Sequence, residues 1–283
     1  LRALRLNIAA GEEAVHLSEV DYVVEAPEAC VDYYEVKSPP ITAVDMKIAE
    51  YVVSELENGA CLQLGIGGMP NAVGKLIAQS DLKDLGIHTE MLCDAMLEMH
   101  KAGKVTGRRK TNGRGKIVYT FALGSRELYD FIDDIPTLAM FPVDYTNSLR
   151  VISQNERAVS INSAIEVDLT GQVCSESVGT KHISGSGGQL EFHWGAYLSP
   201  GGKAFICIGS TYEGKKGETI SRIKPILTPG GVVTTPRPTV NFLVTEYGKV
   251  NLKGQSTWER AERIISIAHP DFREELIQEA EKF

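Results

Sequence analysis

No stretch of this chain reaches the roughly 18 consecutive apolar residues that a membrane-spanning helix requires, so the sequence offers no transmembrane segment. Basic runs are equally scarce. The longest is Arg108-Arg109-Lys110, and 37 Asp and Glu against 29 Lys and Arg leave a net charge of -8. Nucleic-acid surfaces carry a basic stripe, so a nucleic-acid partner is excluded as an expectation, as is a membrane one. Cysteine is sparse, odd in number and scattered at positions 30, 61, 93, 174 and 207. That spacing fits no zinc pattern and no disulfide framework. Cys61, Cys93 and Cys207 sit in apolar, strand-like runs and read as reduced core residues of a cytoplasmic protein. The six histidines, at 16, 88, 100, 182, 193 and 269, form no i,i+4 pair and no HExxH, so no metal site is expected. The opening LRALRLNIAAGEEAVHL lacks both the apolar core of a signal peptide and a starting Met, which suggests a chain that begins inside a longer protein.

What is present is ordinary globular material, 43% hydrophobic and 23% charged over 283 residues. One stretch organises it, from Gly59 to Asp94. Ala60 to Leu64 is an apolar run of strand length. Gly65-Ile66-Gly67-Gly68 turns, Pro70 opens a helix, and Asn71 to Gln79 gives that helix an apolar face through Val73, Leu76 and Ile77. A second run, Leu85 to Cys93, carries a carboxylate at Glu90. Strand, glycine turn, helix and strand within one βαβ length predict a parallel α/β sheet. Ligands bind such sheets beyond the carboxyl ends of the strands, so the glycine turn and Glu90 are expected together at an active site.

Around this stretch, residues 1–40 read as a tail or linker closed by Pro39-Pro40, a domain boundary. Thr42 caps a helix over 43–58, with Val44, Ile48, Val52 and Leu56 on one face and Gly59 as its stop. The later part of 91–103 is helical; 104–118 is basic and glycine-rich, a surface loop or hairpin. Strands are expected at 118–123, 137–141, 158–169, 204–208, 232–235 and 240–245, and helices at 126–133, 258–269 and 271–283. A second glycine loop spans Ser184 to Gly188.

Successive glycines let backbone N–H groups approach a ligand, and at a helix N-terminus they can hold a phosphate or an oxyanion. Gly65-Ile66-Gly67-Gly68 is neither GxGxxG nor GxxxxGK[ST], which disfavours a dinucleotide or nucleoside-triphosphate site. A carboxylate within an apolar run is costly to bury unless it is paired or used. Glu90, Glu166 and Glu246 all raise that question, and the residues alone leave the three level.

The ordered set LGIGGMPNAV, GIHTEM, SINSAIEVDLTGQV, SGSGGQ, LVTEYGKVNLKG and AHPDFREEL, running from about residue 41 to the C-terminus, resembles the family I coenzyme A transferases. The resemblance is to the branch of 4-hydroxybutyrate and butyrate CoA-transferases and acetyl-CoA hydrolase/transferases. It implies a doubly wound, mostly parallel α/β domain over 41–283 with extra β structure. Residues 1–40 would be the end of a first domain that is otherwise absent. It implies CoA transfer between a short-chain acyl-CoA (4-hydroxybutyryl, butyryl or acetyl) and a carboxylic acid by a ping-pong route through a glutamyl-CoA thioester. Acyl-CoA hydrolysis is the alternative, and a non-catalytic or sugar-phosphate-binding module a further one. Glu90 would be the nucleophile and Glu246 its supporting glutamate. Gly65, Ile66, Gly67, Gly68 and Met69 would form the CoA-contacting loop. Ile165 and Gly188 would give backbone contacts, and Asn147 a side-chain amide to the carboxylate. The partners implied are acyl-CoA, a carboxylate and a second copy in a homodimer, with coenzyme A as substrate and no tightly bound cofactor. The chain departs from the family pattern at Asp94-Ala95, where glycine often follows the aspartate, at Ser186, and at Glu191 to Gly195, where an arginine is common.

Overall fold

A computed structural model describes residues 16–24, 34–36, 39–65, 67–133 and 135–282. Most of the 1–40 tail, together with Cys30 and Ile66, lies outside the described residues.

The centre is an eight-stranded sheet. Its strands in chain order are β1 (Cys61–Leu64), β2 (Gly86–His88), β3 (Ile117–Tyr119), β4 (Leu138–Met140), β5 (Ala158–Ser163), β6 (Lys203–Cys207), β7 (Phe242–Thr245) and β8 (Gly248–Asn251). In space they run β8-β7-β6-β5-β1-β2-β3-β4. Every neighbouring pair is parallel except the β7–β8 hairpin at one edge. The order climbs one way from β1 through β2 to β4 and the other way from β5 through β7. The switch point of this doubly wound sheet therefore lies between β1 and β5, where a crevice opens beyond the strand ends.

Alternation along the strands sorts the helices. Leu62, Leu64, Phe205 and Cys207 join the core under α1 (Ala43–Val53), α2 (Gly68–Gln79), α3 (Asp94–Lys101) and α4 (Arg126–Ile132). On the opposite face, Ala158 and Ala204 pack with Ile152, Phe192 and Ala196, and Ile206 and Leu243 pack with Ile264 and Leu276. The helices there are α6 (Leu149–Gln154), reached through the short α5 (Val143–Thr146), then α7 (Gln189–Leu198), α8 (Thr257–Ser266) and α9 (Pro270–Ala280). Local chemistry sets the helix starts. Thr42 and Asp45 form a reciprocal capping box at α1, as Ser256 and Glu259 do at α8, and α9 opens on Pro270 with His269 as its cap. Where α2 meets α3, a Cβ on Gly74 would stand 2.6 Å from that of Ala95, so the two helices touch at these small residues.

Several expectations shift. The first helix stops at Val53, where the Ser54 hydroxyl donates to Tyr51 O. Gly59 instead turns the chain into β1 at φ +81°, and Val44 is exposed. The second helix begins at Gly68, two residues before Pro70, which fits in the first turn because N–H groups there have no helical acceptor. The run 232–235 is not a strand. Between the left-handed Gly230 and Pro236 it makes one bridge, Thr235 to Val173. The run 158–169 splits after Ser163, and Glu166–Asp168 leaves to a separate small sheet with 173–174 and 223–224. The runs 85–93 and 118–123 also split, both at the level of Glu90 and Thr120. Cys61, Cys93, Cys174 and Cys207 are buried free thiols. No helix among the described residues is long and apolar enough to cross a membrane.

The basic loop 104–118 is not wholly at the surface. Lys110 is 4% exposed. Its chain lies across Gly86, where a Cβ would meet it at 2.5 Å, and its Nζ donates to Ile87 O (2.7 Å) and Lys116 O (2.8 Å). Burial pushes its pKa down from 10.5 to about 8; the neutral amine still carries the two hydrogens that two carbonyls need. Below pH 8 both states hold the proton and the cost of burying charge is fully present. From pH 8 to 10.5 the unfolded chain holds it and the folded one does not, so stability rises with pH. Relative to Lys110→Met, the native protein should gain on the order of 3 kcal/mol across that window. Urea titrations of both proteins at pH 7.5 and 10.5 check this; parallel values would refute it.

Candidate active site

β1, β2 and β5 all end at the switch point, and each delivers one part of a cleft of about 390 Å³. Beyond β1 stands Gly65, whose N–H donates to Ile161 O (2.9 Å). At the end of β5 stand Asn162 and Ser163, and across from them the loop 184–188 leads into α7. Beyond β2 stands Glu90. Its carbonyl accepts from both Thr120 N (2.9 Å) and Phe121 N (3.1 Å). Past that point the two chains pair again as Met91–Leu92 with Phe121–Ala122. An interruption of this kind redirects a side chain, and here it presents the half-buried Glu90 to the cleft.

Glu90, Asn147 and Gly188 come together. A Cβ built on Gly188 would lie well inside 3.0 Å of both Glu90 Oε2 and Asn147 Nδ2. The carboxylate and the amide therefore converge on the space that glycine leaves empty. Asn147 caps the C-terminus of α5, and its Oδ1 is buried with no hydrogen-bond partner among the described residues. Gly188 is the N-cap of α7, whose first N–H groups have no helical acceptor.

The other expected positions are placed as follows. Gly67, the N-cap of α2, sits at φ +119°, which favours glycine. Gly68 faces the α1 cap, where a Cβ would be 2.9 Å from Asp45 Oδ2, and Met69 is in the core. What Gly68 and Met69 can offer a ligand is their unpaired first-turn N–H groups. Ile165 has both backbone groups engaged, N–H to Cys174 O (2.9 Å) and C=O from Arg222 Nη1 (3.1 Å), and it lines a neighbouring cleft. Glu246 sits in the β7–β8 turn, where it accepts from Ser210 N (2.9 Å) and Ser210 Oγ (2.5 Å) and does not line the Glu90 cleft. Glu166 is buried with its two oxygens bound by Thr228 N (2.8 Å) and Thr228 Oγ1 (2.7 Å).

One feature the sequence reading missed is an amide network on the floor of the cleft. Gln63 Nε2 donates to Asn162 Oδ1 (3.0 Å), and Ser160 Oγ (2.7 Å) and Asn162 Nδ2 (3.1 Å) donate to Gln63 Oε1. A polar residue inside the apolar run Cys61-Leu62-Gln63-Leu64 was the available signal.

These features define a class: a doubly wound α/β domain that presents a carboxylate and glycine-rich backbone at the switch point. Residues 124–280 match the family model described as the acetyl-CoA hydrolase/transferase C-terminal domain. The chain is 56% identical over 96% of its length to a probable butyrate:acetyl-CoA coenzyme A-transferase of Syntrophomonas wolfei, and 52% identical, over the same share, to a butyryl-CoA:acetate CoA-transferase of Anaerostipes caccae. Among solved structures, RipA from Yersinia pestis superposes with a TM-score of 0.88 at 44% identity over 97% of the chain and 60% of RipA. A 4-hydroxybutyrate CoA-transferase from Porphyromonas gingivalis gives 0.81 at 39% identity over 97% of the chain and 63% of its own. The chain belongs to the acetyl-CoA hydrolase/transferase family. It spans 60% of the length of each of the two curated relatives named.

Gly188→Val should leave the fold intact, since residues 184–187 before it are exposed and its side chain meets only the side-chain ends of Glu90 and Asn147, whose shared point it fills. Turnover should fall by about 100-fold or more, because displacement of a reacting group by about 1 Å costs that much. Initial rates and thermal midpoints of the variant measure the two effects separately, and full activity in a folded variant would reduce the loop to a turn.

Proposed function

We propose that the protein to which this chain belongs is a CoA-transferase that moves coenzyme A between a short-chain acyl-CoA and a carboxylic acid, with Glu90 as nucleophile. The observation that carries this reading is the convergence of Glu90 Oε2 and Asn147 Nδ2 beside Gly188. The named activities of the relatives at 52–56% identity support it. Glu90 attacks the thioester carbonyl, and the C–S bond breaks to give an acyl-glutamyl anhydride and CoA thiolate. The thiolate attacks the glutamyl carbonyl and expels the acyl group as a carboxylate, leaving a glutamyl-CoA thioester. An incoming carboxylate attacks that thioester, and the released thiolate takes its acyl group, which restores Glu90. Covalent catalysis of this kind retains the thioester through the exchange. The tetrahedral states carry an oxyanion, for which the Asn147 amide and the first N–H groups of α7 are donors within reach of the cleft.

In this reading coenzyme A is a substrate and covalent intermediate, with no resident cofactor. Residues 41–283 are the C-terminal catalytic domain and 1–40 the end of a preceding one. The enzyme works as a cytoplasmic homodimer. The Gly65–Met69 loop, the Ile165 backbone and Gly188 hold the CoA arm, and Glu246 supports the site indirectly, through Ser210 and the loop after β6.

The full-length protein incubated with butyryl-CoA and no acceptor acid should trap CoA on the peptide His88-Thr89-Glu90-Met91. Borohydride reduction followed by peptide mapping locates it. Glu90→Ala should abolish both the label and the exchange into acetate. A label on Glu166 or Glu246 would sink the assignment, and free thiol released without exchange would make the protein a hydrolase. Asn147→Ala should raise the apparent KM for the free acid by about 10-fold, the order expected when one hydrogen bond to a charged group is lost, and leave that for acyl-CoA nearly unchanged. Equal changes in both would assign Asn147 a structural role.

A further inference from the structure

We propose that His88 is a positioning residue for the transfer reaction: its imidazole fixes the Asn147 amide and the Glu90 carboxylate in one frame. The proposal rests on the reading above, in which Glu90 is the nucleophile and Asn147 binds the acid.

His88 ends β2, two residues before Glu90, and is 3% exposed. Its Nε2 lies 2.8 Å from Thr146 O. A carbonyl only accepts, so Nε2 carries the hydrogen and Nδ1 is bare; Nδ1 has no partner among the described residues. Burial first, and the nearby Lys110 charge second, push the His88 pKa down to about 3, so the ring is a neutral, single-tautomer donor. Thr146 is the last residue of α5, and Asn147 is its C-cap. The Thr146 hydroxyl in turn meets the Thr120 hydroxyl and donates to Pro142 O (2.9 Å). Thr120 N holds the Glu90 carbonyl at 2.9 Å. The links therefore form a chain from His88 to Thr146 to Thr120 to the Glu90 backbone, and they join β2, the break after β3, and α5. The ring also lies between Tyr145 of α5 (centroids 6.4 Å apart) and Phe192 of α7 (6.1 Å). Each of the three elements that supply Glu90, Asn147 and Gly188 thus touches His88 or is hydrogen-bonded to something that does.

A purely apolar residue would fill the same buried space, and burial of a polar group is costly unless it is bonded. What imidazole adds is one directed N–H to the carbonyl that precedes Asn147. Its effect on the reaction is through Asn147 and Glu90, not on the substrate.

The test uses the full-length protein with His88→Phe, which keeps a ring and loses the donor, and His88→Gln, whose terminal N–H can reach Thr146 O. Folded H88F should raise the apparent KM for the free acid about 10-fold more than that for acyl-CoA and slow glutamyl-thioester formation in a single turnover by about 10- to 100-fold, in line with displacement of up to 1 Å. H88Q should recover most of both. In the Asn147→Ala background, H88F should raise the acid KM no further, because the group it aims is gone. Three results overturn the proposal: native kinetics in H88F with only a lowered thermal midpoint, failure of H88Q to recover the rate, or effects of H88F and N147A that multiply. If N147A alone leaves the acid KM unchanged, the acid-binding role is what fails, and an unslowed single-turnover rate in H88F then overturns the positioning role independently. Should H88F not fold, Thr120→Val, which is isosteric and cuts the hydroxyl link, must reproduce the slowed thioester formation; an unchanged rate refutes the proposal.

Discussion

The two hydrogen bonds received by the Glu90 carbonyl are the constraint on which the site depends. Parallel strands β2 and β3 run in register until Thr89 N donates to Val118 O (3.0 Å), and then both chains break step. One carbonyl takes two successive N–H groups, from Thr120 and Phe121. The broken ladder is thereby satisfied without water, and pairing resumes one step later at Met91 and Phe121. A carboxylate in an uninterrupted central strand would be buried against a helix layer. The break places it where the sheet ends and the crevice begins.

The overall plan was legible because it rests on local signals. The parallel sheet follows from strand, glycine turn, helix and strand in one short stretch, and the first helix follows from its Thr42 cap and its apolar face. What was not legible depends on partners remote in sequence. Leu85 to Cys93 reads as one strand because apolar residues flank His88-Thr89-Glu90 on both sides; the break comes from Thr120, thirty residues away. Lys110 reads as surface because lysine usually is. It is buried because Gly86 leaves room for its stem and the carbonyls of Ile87 in β2 and Lys116 before β3 accept from its head. The helices α5, α6 and α7 carry no long apolar stripe of their own, and their places are set by the sheet face they cover.

The departures from the family pattern fall into two groups. Asp94 and Ala95 are structural. Asp94 Oδ1 accepts from Ser125 Oγ (2.7 Å) and ties α3 to the start of α4, and the Ala95 methyl meets Gly74 of α2. His193, in the segment where an arginine is common, is fully buried in α7, and its Nε2 accepts from Asn241 N (3.3 Å). It pins α7 to β7 and does not line the cleft. Ser186 differs from these: it stands exposed on the glycine loop and lines the cleft itself. Of these departures, Ser186 is the one that lines the cleft.

The three glutamates that the sequence left level are separated by what surrounds them. Glu166 has its oxygens engaged by Thr228 N and Thr228 Oγ1, and Glu246 by Ser210 N and Ser210 Oγ. A carboxylate in that state joins a strand end to a loop, and attack on a thioester would require breaking two charge-assisted hydrogen bonds, each worth roughly 1.5–3 kcal/mol. Glu90 shows no side-chain hydrogen bond or ion pair among the described residues, yet its carbonyl is held by two backbone N–H groups. A fixed main chain with an uncommitted carboxylate is what a nucleophile needs, because approach to the carbonyl then costs no broken bond and little ordering. The same residue type at three places thus divides into two carboxylates tied to loops and one left uncommitted, and hydrogen-bond partners rather than sequence context make the division.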